Sequence, residues 1–135
     1  MKKPLRVFLS YAQDDAALAD ALTKDMSAAG LTVWSDRDLL PGDNWAKEVS
    51  SALEDSDAMV VIVSPSSAKS RWVKREIEFA LGSEKYAKRL VPVVVKTTNE
   101  MPWILNTLKP IRVSSDHRKV SREVIEALEQ RHEVE

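Results

Sequence analysis

Residues 58–63, Ala58-Met59-Val60-Val61-Ile62-Val63, are the longest apolar run in the chain, and Ser64-Pro65 ends it. A run without polar alternation is typical of a central strand in a parallel sheet, because helices cover both faces of such a strand. The run is far too short to cross a membrane. The segment therefore predicts an α/β fold organised around one buried strand.

Strand and helix signals alternate on both sides of this run. Further strands are predicted at 5–9, 31–34, 90–95 and, as a short fifth strand, 111–113. Helical spacing of apolar residues is found at 17–29, 45–53, 70–81 and 120–128. This alternation predicts a flavodoxin-like three-layer sandwich with a five-stranded parallel sheet of order 2-1-3-4-5. We expect one domain over residues 1–135, with its core at about 5–128.

Composition excludes several classes of function. The 135 residues carry a net charge of −1, which argues against nucleic acid as a partner. The chain has no cysteine, so disulfides, Cys-ligated metals and thiol nucleophiles are ruled out. Its two histidines, His117 and His132, both lie near the C-terminus, and its three glycines form neither standard phosphate loop. We expect no metal and no bound cofactor.

The start of the sequence bears on localisation. After Met1-Lys2-Lys3-Pro4 the apolar run is short, and Arg6 interrupts it. This pattern does not match a secretory signal, which has a longer apolar core. We therefore expect a cytoplasmic protein without a membrane partner.

Ligands of open parallel sheets bind beyond the carboxyl ends of the strands, here at the loops 10–15, 35–44, 64–72 and 96–103. A response-regulator receiver has the same topology, and Asp14 and Asp15 could imitate its acidic residues. A receiver also needs a phosphoacceptor aspartate after the third strand, where this chain has Ser64-Pro65. We therefore do not favour a receiver.

Three boxes of sequence follow one another along the chain. They are Val7-Phe8-Leu9-Ser10-Tyr11; Gly30-Leu31-Thr32-Val33-Trp34-Ser35-Asp36 with the loop Leu39-Leu40-Pro41-Gly42-Asp43-Asn44-Trp45; and Ser64-Pro65 with Ser70-Arg71-Trp72-Val73-Lys74-Arg75-Glu76. In their joint order and spacing they resemble the boxes of Toll/interleukin-1 receptor (TIR) domains, whose BB loop corresponds to residues 39–45. The resemblance runs from about Leu5 to Leu128.

The resemblance implies one of two functions, because some TIR domains are adaptors and others cleave NAD+ with a glutamate on the third helix. It places that glutamate at Glu76. NAD+ has a cationic leaving group, so one carboxylate beside the oxocarbenium-like ribose suffices for cleavage. We expect ADP-ribose or a cyclic isomer as product, in bacterial anti-phage signalling of the Thoeris kind, with a separate effector responding to it. The alternative is a non-enzymatic TIR interaction module.

Seven residues are predicted to form the site. Glu76 is the catalytic candidate, and on a helix it shares a face with Trp72, four residues earlier. The expected substrate-binding residues are Ser10, Tyr11, Trp34, Asp36, Ser70 and Trp72.

Each of these residues also has a purely structural interpretation. Glu76 could be an ordinary helix-edge residue in an ion pair, and Ser70 a helix cap. Ser10 and Tyr11 could form a turn. Trp34 and Trp72 could serve packing, and Asp36 could pair with Arg37 on the surface.

The BB loop has an apolar tip, Leu39-Leu40-Pro41-Gly42. Exposed apolar loops often mark contacts between proteins. In enzymatic TIR domains this loop commonly packs against a neighbouring copy. We expect self-association through Leu40, Pro41 and Gly42; the alternative is a loop folded onto its own domain.

Overall fold

The computed structural model of the chain describes residues 5–35, 39, 42, 44–86, 89–96, 98 and 100–133. Its strands are β1 (Arg6–Ser10), β2 (Thr32–Trp34), β3 (Ala58–Val63), β4 (Leu90–Val94) and β5 (Ile111–Arg112). Its α-helices are α1 (Ala16–Ala28), α2 (Trp45–Asp55), α3 (Pro65–Lys69), α4 (Arg71–Leu81) and α5 (His117–Glu133). Single 3-10 turns occur at Gln13–Asp15 and Trp103–Thr107.

The five strands form one parallel sheet of order β2-β1-β3-β4-β5, which confirms the predicted topology. All six residues of β3 are buried, as their apolar character requires for a central strand covered on both faces. The chain turns from one half of the sheet to the other between β1 and β3. Ligands of such folds bind at this switch point.

Two apolar clusters cover the two faces of the sheet. Residues of α1 and α5 pack on one face, and residues of α2 and α4 pack on the other. Successive side chains of β1 alternate between the faces, so Leu9 joins the first cluster and Phe8 the second. Ser10, two residues after Phe8, faces the side of α4.

The segment after β3 contains a short helix, α3, that the sequence analysis did not predict. Ser64 caps it: the Ser64 hydroxyl accepts from the Ser67 backbone N–H, the Ser67 side chain binds back to Ser64, and Pro65 takes the first helical position. Helix α4 then begins at Arg71 with Ser70 as its cap, as predicted.

The amino end of the sheet is closed by side chains that bond to the backbone at the end of α2. The Tyr86 hydroxyl donates to the carbonyls of Leu53 and Ser56, and the Lys85 ammonium donates to those of Leu53 and Glu54. These bonds satisfy carbonyls that a helix end leaves without intrahelical partners. Burial raises the pKa of Tyr86 to about 12 and lowers the pKa of Lys85.

No helix within the described part of the chain has both the length and the apolar character needed to cross a membrane.

Candidate active site

A carboxylate interrupts the buried face of α4. The buried residues of this helix are Val73, Glu76, Ile77 and Ala80, and their spacing is that of one helical stripe. Glu76 is only 2% exposed. The structural alternative was an ordinary helix-edge glutamate, whereas the structure places Glu76 within the apolar stripe itself.

Ser10, the last residue of β1, meets this carboxylate. Its hydroxyl donates a hydrogen bond of 2.7 Å to Oε1 of Glu76, and Ser10 is also 2% exposed. A buried carboxylate is costly unless hydrogen bonds compensate for its lost hydration. The Ser10 bond supplies part of that compensation, and it joins the switch point of the sheet to the third box of the sequence.

Two further hydroxyl–carboxylate bonds hold the loops beside this pair. The Ser64 hydroxyl donates to Asp15 over 2.6 Å, and the Ser66 hydroxyl donates to Asp14 over 2.7 Å. The loop after β1 is thereby tied to the loop after β3. The sequence analysis considered these two aspartates only as acids of a receiver, although Ser64-Pro65-Ser66-Ser67 already carried a helix-start signature that could have located their partners.

The first turn of α4 presents an aromatic and basic surface. Trp72 is 40% exposed, and the guanidinium of Arg75 lies 5.2 Å from the centre of its ring. The Ser70 hydroxyl accepts the Val73 backbone N–H at 3.3 Å, so Ser70 caps the helix. The dipole of a helix makes its N-terminus partly positive. Basic side chains are therefore disfavoured there, whereas an anion is attracted. The exposed basic residues around this turn are Lys69, Arg71, Lys74 and Arg75.

Of the other predicted site residues, Tyr11 and Trp34 have packing contacts, and Asp36 lies outside the described residues. Tyr11 is half-buried and packs against the cluster on the α1–α5 face. Trp34 stacks on Phe8 with ring centres 5.1 Å apart, which gives it a packing role. Asp36, with Leu40 and Pro41 of the BB loop, lies outside the described residues. Gly42 is described: it is exposed and has a φ of 91°.

Two cavities lie away from the Ser10–Glu76 pair. One of about 290 Å³ lies between α2 and the edge strand β2, and one of about 310 Å³ lies between α1 and α5. Glu76 lines neither cavity, and it is almost fully covered. Among the described residues no group of three or more His, Cys, Asp or Glu side chains could hold a metal ion.

The chain belongs to the TIR domain family, whose family model matches residues 7–131. A solved metazoan TIR-STING receptor from C. gigas, in complex with 2′,3′-cGAMP, is 27% identical with a TM-score of 0.75. The match covers 90% of this chain and 38% of that one.

Two curated bacterial relatives carry names that describe NAD+ chemistry. The NAD(+) hydrolase PdTIR of Paracoccus denitrificans is 29% identical over 72% of this chain and 33% of its own length. The 2′ cyclic ADP-D-ribose synthase BtTIR of Bacteroides thetaiotaomicron is 28% identical over 69% of this chain and 33% of its own. This chain spans about a third of the curated relatives it matches.

Proposed function

We propose that this chain is an NAD+-cleaving TIR domain in which Glu76 stabilises the positive charge that develops on the ribose. The observation that carries the proposal is the carboxylate within the buried stripe of α4, bonded to Ser10 at the switch point of the sheet. The two bacterial relatives, at 29% and 28% identity, support it.

The proposed reaction requires little of the protein beyond a carboxylate that is held beside the ribose. The bond between the ribose and the nicotinamide nitrogen breaks, and the electron pair leaves with the nicotinamide, which becomes neutral. A carboxylate beside the ribose stabilises the oxocarbenium-like state. Attack by water then yields ADP-ribose, and attack by another group of the same molecule yields a cyclic isomer. NAD+ is the substrate, and no separate cofactor takes part.

The surface at the start of α4 would bind the rest of NAD+. The exposed ring of Trp72 offers a flat apolar contact, and the basic side chains around it attract the pyrophosphate. Lys69 and Arg71 flank Ser70 at the N-terminal end of the helix. Contacts of the substrate with Ser70, Tyr11, Trp34 and Asp36 stay predictions.

Assembly would open the site. Because Glu76 is 2% exposed, its carboxylate must be uncovered before NAD+ can reach it. We propose that association with a second copy through the BB loop around Leu40, Pro41 and Gly42 drives this rearrangement. The bacterial origin of the two relatives is the reason for extending the proposal to cytoplasmic anti-phage signalling, with a separate effector that responds to the product.

Nicotinamide release from NAD+ by the purified full chain tests the reaction. Glu76→Gln keeps the shape of the side chain and removes its charge, so the rate should fall by about 10²–10³-fold. Glu78→Gln is the matched control, since Glu78 lies on the same helix and is exposed. Near-wild-type release by folded Glu76→Gln would contradict the assignment.

A dilution series tests the assembly. Release per molecule should rise with protein concentration, and Gly42→Arg should abolish the rise by obstructing close approach. Gly42→Ala is the control for backbone strain, because any side chain is strained at a φ of 91°. Constant release per molecule from a persistent monomer, with mass measured by light scattering, would rule out control by assembly.

A non-enzymatic TIR interaction module is the second candidate. The nearly complete burial of Glu76 favours this module, because an interaction module does not need a carboxylate that a substrate can reach. Absence of nicotinamide release at every protein concentration, together with self-association that Gly42→Arg disrupts, would establish this function over the enzymatic one.

A further inference from the structure

We propose that Ser10 is a positioning residue for Glu76: its hydroxyl holds one carboxylate oxygen, so that the carboxylate meets the substrate in a single orientation. The proposal rests on the proposed function of Glu76 and assigns Ser10 a role different from the substrate contact predicted from sequence. Its basis is the 2.7 Å bond between two side chains that are each 2% exposed.

The donor belongs to a strand that is paired on both sides. Strand β1 pairs with β2 on one side and with β3 on the other, and the Cα of Ser10 is in register with that of Val61. The bond joins residues 66 positions apart in sequence. A central strand therefore sets the position of a group carried by a helix.

A glutamate needs such a donor to have a defined orientation. The terminal torsion of its side chain has a broad energy minimum, so packing of the aliphatic part leaves the carboxylate plane poorly fixed. One short hydrogen bond to Oε1 fixes that plane. Electrostatic stabilisation of a transition state depends on groups that already have the right orientation before the reaction.

The other charged groups on α4 and in the adjoining loops are either exposed or bonded to other serines. On α4 itself, Lys74, Arg75 and Glu78 are exposed. In the loop after β1, the carboxylates of Asp14 and Asp15 accept bonds from serines of the loop after β3. The Ser10 hydroxyl is a donor that links the carboxylate to the sheet.

Steady-state kinetics of Ser10→Ala, Ser10→Thr and Ser56→Ala test the proposal. Ser10→Ala should lower kcat by about 10- to 100-fold, the range expected for losing a bond to a charged group, with KM changing less than about threefold. Ser10→Thr keeps a hydroxyl and should recover most of the rate. Ser56→Ala removes another buried serine bond of 2.7 Å, to the Ala52 carbonyl at the opposite end of the sheet, and should leave kcat unchanged.

A titration of the Glu76 carboxyl carbon by NMR gives a readout that does not depend on turnover. Loss of the donor should move the midpoint to higher pH by about one unit in Ser10→Ala, and Ser10→Thr should restore it. An unchanged midpoint, or an equal shift in Ser56→Ala, would overturn the proposal.

The outcomes separate the two proposals. Inactive Glu76→Gln with fully active Ser10→Ala would overturn the positioning role alone. A wild-type protein without turnover would overturn the proposed function, and the titration would still decide whether Ser10 holds the carboxylate.

Discussion

At the amino end of the sheet, three polar side chains bond to backbone carbonyls, whereas the Ser10–Glu76 bond at the carboxyl end joins two buried side chains. Tyr86, Lys85 and Ser56 all donate to carbonyls of α2 or of the residue after it. At the carboxyl end, Ser10 donates to Glu76 and Ser64 to Asp15. The first pattern completes a helix end. In the second pattern Ser64 also caps α3, but the Ser10–Glu76 bond joins two side chains and completes no helix end.

We interpret this difference as one between side chains that stabilise the fold and a pair that serves the proposed reaction. Buried backbone carbonyls must be bonded somewhere, so the amino-end side chains stabilise the fold directly. Replacing both partners of a buried hydrogen bond by apolar groups of the same shape can be nearly neutral for stability. This comparison is in keeping with the role proposed above for the Glu76 carboxylate. Variants at the amino end should accordingly lose stability, and variants at the carboxyl end should lose NAD+ turnover.

Trp72→Ala and Phe79→Ala should show the largest contrast within one helix. Trp72 is 40% exposed at the carboxyl end, and Phe79 is 44% exposed and packs edge-on against Tyr86 at the amino end. Each change should cost about 2 kcal/mol in free energy of unfolding, less than the 3–5 kcal/mol of a fully buried ring. Only Trp72→Ala should also lower NAD+ turnover per folded molecule. Equal turnover in both variants would contradict a substrate role for Trp72.

Tyr86→Phe should cost stability and no turnover. It removes a buried hydroxyl that donates to the Leu53 and Ser56 carbonyls, at a cost of about 1.5 kcal/mol in urea denaturation. Lys85 still donates to Leu53, which limits the loss. A fall in turnover per folded molecule would show that the amino end also takes part in the reaction.

The same tyrosine predicts a pH dependence. Burial, with a smaller effect of the Asp57 charge, raises the pKa of Tyr86 from 10.0 to about 12. The neutral phenol therefore contributes its full stability below pH 10, and that contribution is lost as the pH rises through about 12. The difference in unfolding free energy between wild type and Tyr86→Phe should shrink over this window. A constant difference would contradict the raised pKa.

Asp15→Asn and Asp14→Asn should show the smallest effects and rank the two loop bonds. The Asp15–Ser64 bond is partly buried and the Asp14–Ser66 bond is exposed. We expect losses of about 1 kcal/mol for Asp15→Asn and below about 0.5 kcal/mol for Asp14→Asn. If Asp15→Asn lowered the free energy of unfolding more than Tyr86→Phe, the bonds at the carboxyl end would contribute as much to stability as those at the amino end.

Local pattern was enough to predict the fold. The apolar run of β3 and the alternating elements predicted the sheet order that the structure confirms, and Ser70 marked the start of α4. The helix α3 was missed because five residues show no apolar period, although Ser64 and Pro65 carried its start signal.

The site was predictable only in part. The third box pointed to Glu76, but its depth in the core depends on packing of α4 against the sheet, which no local pattern specifies. The Ser10–Glu76 bond joins residues 66 positions apart, and the Asp15–Ser64 bond joins residues 49 apart. Long-range pairings of this kind arise from the tertiary fold.

The double variant Ser10→Ala/Glu76→Leu tests the central claim most directly. Its free energy of unfolding, measured on the same preparation as nicotinamide release, separates stability from chemistry in one sample. We predict a free energy equal to or above that of the wild type, because an apolar pair replaces a buried polar one, together with complete loss of release. A fall of more than about 3 kcal/mol, or release at the wild-type rate, would contradict the claim that this pair exists for its chemistry.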